Sequence, residues 1–139
     1  MEFQSSSGYN ENMTYKIGTI LRRKLLNSPV GWHYGAVIGY EYGIPIVFEN
    51  TKGAKEQLVW FNDFAQGQEV LVEECPTDPP QVVIQRAREA LKSPQNWDLF
   101  SNCEHSCRKI TQGKSESIQL QSFFVITGLV SILVWASKS

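Results

Sequence analysis

The spacing of hydrophobic positions changes character once along the chain, near residue 77. Before that point, apolar residues fall in short β-branched runs separated by turn formers. Residues 17–23 (IGTILRR) read as a first strand, followed by a turn at Asn27, Ser28, Pro29 and Gly31. Residues 32–40 (WHYGAVIGY) carry the small and β-branched side chains of a buried strand. Glu41, Tyr42 and Gly43 then turn the chain back into residues 44–50 (IPIVFEN) as a hairpin partner. Residues 57–61 and 69–74 supply two more strands, with residues 62–67 between them as one helical turn closed by glycine. Beyond residue 77 the period lengthens. Thr77 and Asp78 offer a helix cap before Pro79 and Pro80, and Val83, Ala87, Ala90 and Leu91 recur at helical spacing opposite Arg86, Arg88 and Glu89. Ser93 and Pro94 stop that helix, and residues 97–100 form a short extended piece. Asn102 opens a second helix running to about Thr111, which Gly113 ends. Strands first and helices afterwards predict an α+β domain with a small antiparallel sheet, not parallel βαβ units.

The final stretch stands apart. Residues 123–136 (FFVITGLVSILVWA) are an uninterrupted apolar or small run without a charge. Fourteen helical residues reach roughly 21 Å, short of the roughly 30 Å of bilayer hydrocarbon; starting at Ile118 reaches roughly 28 Å but brings in Gln119, Gln121 and Ser122. A tail anchor, a half-inserted segment and a terminal helix docked on the domain all fit that length. The near-absence of polar residues on any face favours membrane contact. Residues 1–13, polar and rich in Ser and Asn, read as a flexible leader.

Composition narrows the class. A chain of 139 residues fits one domain with short tails, large enough to bury a core without a disulfide or metal staple. Hydrophobic residues at 42% and aromatics at 12% are globular values, not those of a disordered chain. Thirteen basic and fourteen acidic residues leave a formal charge of −1, without the basic excess of a nucleic-acid reader, so no nucleic-acid partner is expected. The run Arg22-Arg23-Lys24 reads as a solvated strand end. Three cysteines, Cys75, Cys103 and Cys107, are an odd number and are not spread as a disulfide framework. The opening MEFQSSSGYNENMTYK lacks the charged start and apolar stretch of a signal peptide, so the expected setting is intracellular and reducing.

Free thiols are then available for chemistry. Cys103 follows Asn102, a good N-cap, and so takes the first helical position, where the macrodipole and unpaired backbone N–H groups stabilise a thiolate. The same N–H groups suit an oxyanion hole. His33 precedes Cys103 by seventy residues and stands at the start of a buried strand, where Gly35 admits a close neighbour. A strand histidine beside a helix-start cysteine is the base-plus-nucleophile pair of thiol acyl chemistry. A third group should accept the other imidazole N–H. The hairpin partner ends in Phe48-Glu49-Asn50 and returns toward His33. Period two puts Glu49 and Asn50 on opposite faces, so only one can point at the ring, and the sequence does not choose. Cys107, one helical turn after Cys103, raises a zinc site with His33 or Cys75. Only one short cysteine spacing exists, so no metal and no cofactor are expected.

WHYGAVIGY followed downstream by NCEH resembles the lecithin:retinol acyltransferase-like (LRAT domain) family, a circularly permuted branch of the NlpC-type, papain-like superfamily. Gly18-Thr19-Ile20-Leu21-Arg22 is similar to that family's first strand, Phe64-Ala65-Gln66-Gly67 to its short turn, and residues 113–117 to the segment after its cysteine helix. The similarity spans roughly residues 14–121, leaving residues 122–139 as an apolar tail. It implies a thioacyl-enzyme mechanism with Cys103 as nucleophile, His33 as base and Glu49 or Asn50 in place of the second histidine many members carry. A second departure is Ser106, where the family has Phe, followed by Cys107. Glu104 and His105 match the family box and read as helix-start and packing residues. The resemblance implies a phospholipid or other acyl donor as substrate, in a phospholipase A or lipid acyltransferase reaction. It also implies membrane association through the tail, placing the chain on the cytoplasmic face of a membrane. Peptide-type amide hydrolysis and a catalytically inactive, membrane-associated interaction module are the alternatives.

Overall fold

The computed structural model describes residues 14–97 and 102–113. The expected leader 1–13, residues 98–100 of the extended piece, the segment after Gly113 and the apolar tail lie outside the described residues. Five strands, β1 (Ile20–Lys24), β2 (Trp32–Glu41), β3 (Ile44–Glu49), β4 (Gln57–Trp60) and β5 (Leu71–Glu74), form one sheet in the order β4-β3-β2-β1-β5. Every neighbouring pair is antiparallel. Helices α1 (Phe61–Ala65), α2 (Pro80–Lys92) and α3 (Cys103–Gln112) complete an α+β fold. Among the described residues, no helix is long and apolar enough to cross a membrane.

The two faces of the sheet are built from alternate residues of the same strands. Ile20, Tyr34, Ala36 and Phe48 point to one side and pack on Ala87 of α2 and on Cys103, Cys107 and Ile110 of α3. Leu21, Val37 and Val47 point to the other side and pack on Phe61, Phe64 and Ala65 of α1. Phe48, Phe61 and Phe64 are among the largest fully buried side chains, each contributing about 1.5–3 kcal/mol of transfer free energy. Gly35 of β2 lies where α1 presses on the sheet. A Cβ there would stand 2.5 Å from Val47 Cγ1 and 2.6 Å from Phe64 Cε1. Gly35→Ala is therefore expected to lower stability by about 1–3 kcal/mol in urea unfolding. Gly39→Ala, with nothing within 4 Å of its Cβ, is expected to be near neutral.

Three local expectations are corrected. The first strand begins at Ile20, not residue 17, because Gly18 takes a positive φ of 100° and Thr19 turns back on Lys16 through both N–H and Oγ1. Helix α1 is closed by Gln66 in the left-handed region (φ 53°), with Gly67 only following it. No side chain caps α2: its N-cap is Pro79, and Asp78 instead pairs with Arg86 Nη1 at 2.6 Å. The cap of α3 does form, with Asn102 Oδ1 accepting the His105 N–H at 2.9 Å, and Gly113 (φ 73°) ends the helix.

A buried ionic network holds α3 against the sheet. Glu104 is fully buried and accepts from Arg108 Nε at 3.3 Å, one helical turn on. Arg108 also pairs with Glu73 and Glu74 of β5, and Gln112 Nε2 donates to Glu74 at 2.7 Å. A charge taken out of water persists only with such partners, so α3 has little freedom to slide along β5. This fixes the position of Cys103 at the head of the helix.

Candidate functional site

One end of the sheet gathers the end of β1, the start of β2, the end of β3 and the start of β4. Antiparallel pairing brings Lys24 opposite Trp32, Gly35 opposite Glu49, and Glu49 opposite Gln57. His33 and Glu49 therefore share one end and one face of the sheet. The structure joins them: Glu49 Oε1 lies 2.8 Å from His33 Nε2, both side chains being buried. Glu49 Oε2 accepts from Gln57 Nε2 at 2.9 Å, so the carboxylate is held from two sides. Nε2–H donating to Glu49 leaves Nδ1 as the basic nitrogen of the neutral ring. The Phe64 ring packs against the imidazole with centroids 5.4 Å apart, which restricts its rotation.

Cys103 comes to the same place from α3. Its Sγ lies 4.0 Å from the Trp32 carbonyl and within hydrogen-bonding reach of the His33 side chain. Burial alone would lower the pKa of His33, but its hydrogen bonds and charge interactions with Cys103 and Glu49 outweigh burial and hold it above the ordinary 6.5. A raised folded-state pKa adds stability that is complete below about 6.5 and is lost as pH rises through the folded value. In an NMR titration, the His33 Cε1–H signal is expected to titrate above 6.5, and Glu49→Gln to move its midpoint down.

Asn50 does not join this cluster. As the face alternation requires, it turns to the α3 side, fully buried, and its Nδ2 donates to Ser106 Oγ at 3.1 Å. The choice between Glu49 and Asn50 thus falls to Glu49 on geometry. Asn50 and Ser106 are partners of each other and tie the end of β3 to α3.

Sequence reasoning missed Arg23. In place of a solvated strand end, its side chain is buried, because it shares the parity of Leu21 and stands opposite His33 in the β1–β2 register. Its Nε donates to the Phe64 carbonyl at 2.7 Å and its Nη1 to the Lys24 carbonyl at 3.1 Å. Burial lowers its pKa from the usual guanidinium value, and the charges of Glu49 and Cys103 oppose that fall. A fixed cation thus stands near Glu49 and Cys103. The signal available was the odd-position pattern of β1, in which Arg23 follows an apolar Leu21 inward.

The other thiols take no part. Cys107 is fully buried, its Sγ 3.8 Å from the Phe48 carbonyl, and burial pushes its thiol pKa well up; Cys75 is exposed. Among the described residues, no three His, Cys, Asp or Glu side chains are grouped so as to hold a metal ion. No protein-family model, curated protein or solved structure matches the chain. Its chemistry is therefore read from the side chains themselves.

Proposed function

We propose that this chain is a cysteine-dependent acyl-transfer enzyme that takes an acyl group from a phospholipid ester onto Cys103. The observation that carries the reading is the buried His33–Glu49 pair, with Nε2 of His33 2.8 Å from Glu49, beside Cys103 at the first position of α3. His33 Nδ1 takes the thiol proton as Sγ attacks the ester carbonyl. The C–S bond forms, and the carbonyl oxygen takes the negative charge beside the positive end of the α3 dipole, with the Cys103 backbone N–H as its donor. Collapse expels the alcohol, which receives the proton from His33 and leaves a thioester on Cys103. Water or an amine, deprotonated by His33, then attacks the thioester and restores the thiol. Glu49 holds the imidazole in the required tautomer and balances its charge.

The order of strand-borne His33, Glu49 and later helix-borne Cys103 accords with a permuted NlpC-type, papain-like arrangement, the fold we assign. Lipid substrates are favoured over peptides by the resemblance of the HYG and NCEH segments and by the apolar run at residues 123–136, which suits a substrate residing in a bilayer. On that reading the protein works intracellularly, at the cytoplasmic face of a membrane. Intact-protein mass spectrometry after incubation with phosphatidylcholine vesicles tests it. An added fatty-acyl mass, labile to hydroxylamine and absent from Cys103→Ala, is expected. Neither adduct nor free fatty acid, with thioester formation on a peptide substrate instead, would move the assignment to amide hydrolysis.

A further inference from the structure

The antiparallel register places the β1–β2 loop (residues 25–31) and the β3–β4 loop (residues 50–56) at the end of the sheet that carries His33 and Glu49. The β1–β2 loop exposes aliphatic side chains: Leu25 at 38%, Leu26 at 51% and Val30 at 74% of full exposure. The exposed charged residues of these two loops and of the adjoining strand end are all lysines, Lys24, Lys52 and Lys55, on a chain whose formal charge is −1; Glu56 is buried and accepts from the Gln95 N–H. We propose that this loop end is a docking surface for an anionic lipid bilayer, with Leu25, Leu26 and Val30 entering the acyl boundary and Lys24, Lys52 and Lys55 meeting the headgroup phosphates.

The chemistry distinguishes a bilayer from a protein partner. Protein interfaces centre on aromatic and arginine anchors and are depleted in lysine. Here the neighbouring aromatic rings are half-buried and each carries a cation on its face: the Lys52 ammonium lies 4.7 Å from the Trp97 ring centroid and the Arg22 guanidinium 4.2 Å from that of Trp32. What remains exposed is aliphatic tips flanked by the ammonium groups of Lys24, Lys52 and Lys55, that of Lys52 resting on Trp97. That combination suits a fluid interface bearing diffuse negative charge. Docking in this orientation would set Cys103 beside the lipid surface, independently of the C-terminal apolar run.

The proposal deepens the lipid-acyl reading of Cys103 and rests on it for its purpose, so its test uses lipids that cannot react. Full-length protein is mixed with vesicles of ether-linked phosphatidylcholine, with or without ether-linked phosphatidylserine, and followed by sedimentation and hydrogen exchange. Residues 25–31 and 50–56 are expected to gain protection, more strongly on the anionic vesicles. Combined reversal of Lys24, Lys52 and Lys55 to Glu should weaken anionic binding by about tenfold or more and erase the preference for phosphatidylserine. Leu26→Ser with Val30→Ser should reduce binding to both vesicle types; all five positions are exposed, so the variants should fold, as circular dichroism would check. Vesicle binding with no protection in these loops, or variants that bind like the wild type, would overturn the proposal. So would loop protection that rises with protein concentration alone, which would assign the face to a second copy of the chain. Docking on ether lipids without acyl release from ester lipids would count against the enzyme assignment while leaving the surface in place.

Discussion

Cys103→Ala should lower acyl release by at least about 10³-fold while leaving the fold intact. The size of the loss follows from the lack of a substitute among the described thiols. Cys107 lies fully buried with its Sγ turned to the Phe48 carbonyl, and Cys75 is exposed in the connection between β5 and α2. The structural cost should be small, because the contacts of the sulfur with the Trp32 carbonyl and the His33 side chain are weak thiol contacts and α3 is held by Glu104, Arg108 and the Asn102 cap. Loss of one buried heavy atom costs about 1 kcal/mol. Fatty-acid release from phosphatidylcholine vesicles and urea unfolding, measured on the same preparations, separate the two effects. Wild-type turnover that survives in the variant would remove Cys103 from the nucleophile's role. An inactive wild type would favour the interaction-module reading.

The architecture near the site was largely legible, for reasons that differ from residue to residue. The hairpin joining residues 32–41 to 44–49 announced itself through two β-branched runs around Tyr42-Gly43, and the α3 boundaries through Asn102 and Gly113. Face alternation showed that Glu49 and Asn50 could not both reach His33. It could not say which one would, because that depends on β2–β3 register, and this pairing shifts between Val37 and Gly39. Arg23 was hidden by the opposite failing: three consecutive cationic residues suggest a wet strand end, yet alternation sends the middle one inward. Its burial is tolerable only because two backbone carbonyls and nearby negative charge receive it, partners that no local pattern displays. The Arg108 network is similar, joining α3 to β5 across more than thirty residues of sequence.

Glu49→Gln is expected to give the second-largest loss, about 10²- to 10⁴-fold in kcat/KM, with little change in KM. The glutamine keeps the size and planar shape of the carboxyl group, so packing around Phe64 and Gln57 should survive. What disappears is the negative charge that receives Nε2–H and balances the imidazolium formed when His33 takes the thiol proton. An amide can also present its NH₂ group to Nε2, favouring the tautomer with the proton on Nδ1, which is the wrong one for accepting from Cys103. Because Glu49 contributes to the raised pKa of His33, the limb of the pH–rate profile that reports this histidine should move to lower pH in the variant. Arg23 sharpens the contrast, since Glu49→Gln leaves its buried guanidinium with less negative charge nearby and should lower stability as well. Asn50→Ala supplies the comparison. It removes the hydrogen bond to Ser106 and empties a fully buried position, which should cost about 1–3 kcal/mol of stability while leaving the pH profile in place. If Asn50→Ala moved the pH profile and Glu49→Gln did not, the orienting role would pass to Asn50, and Glu49 would be a structural partner of Gln57 alone.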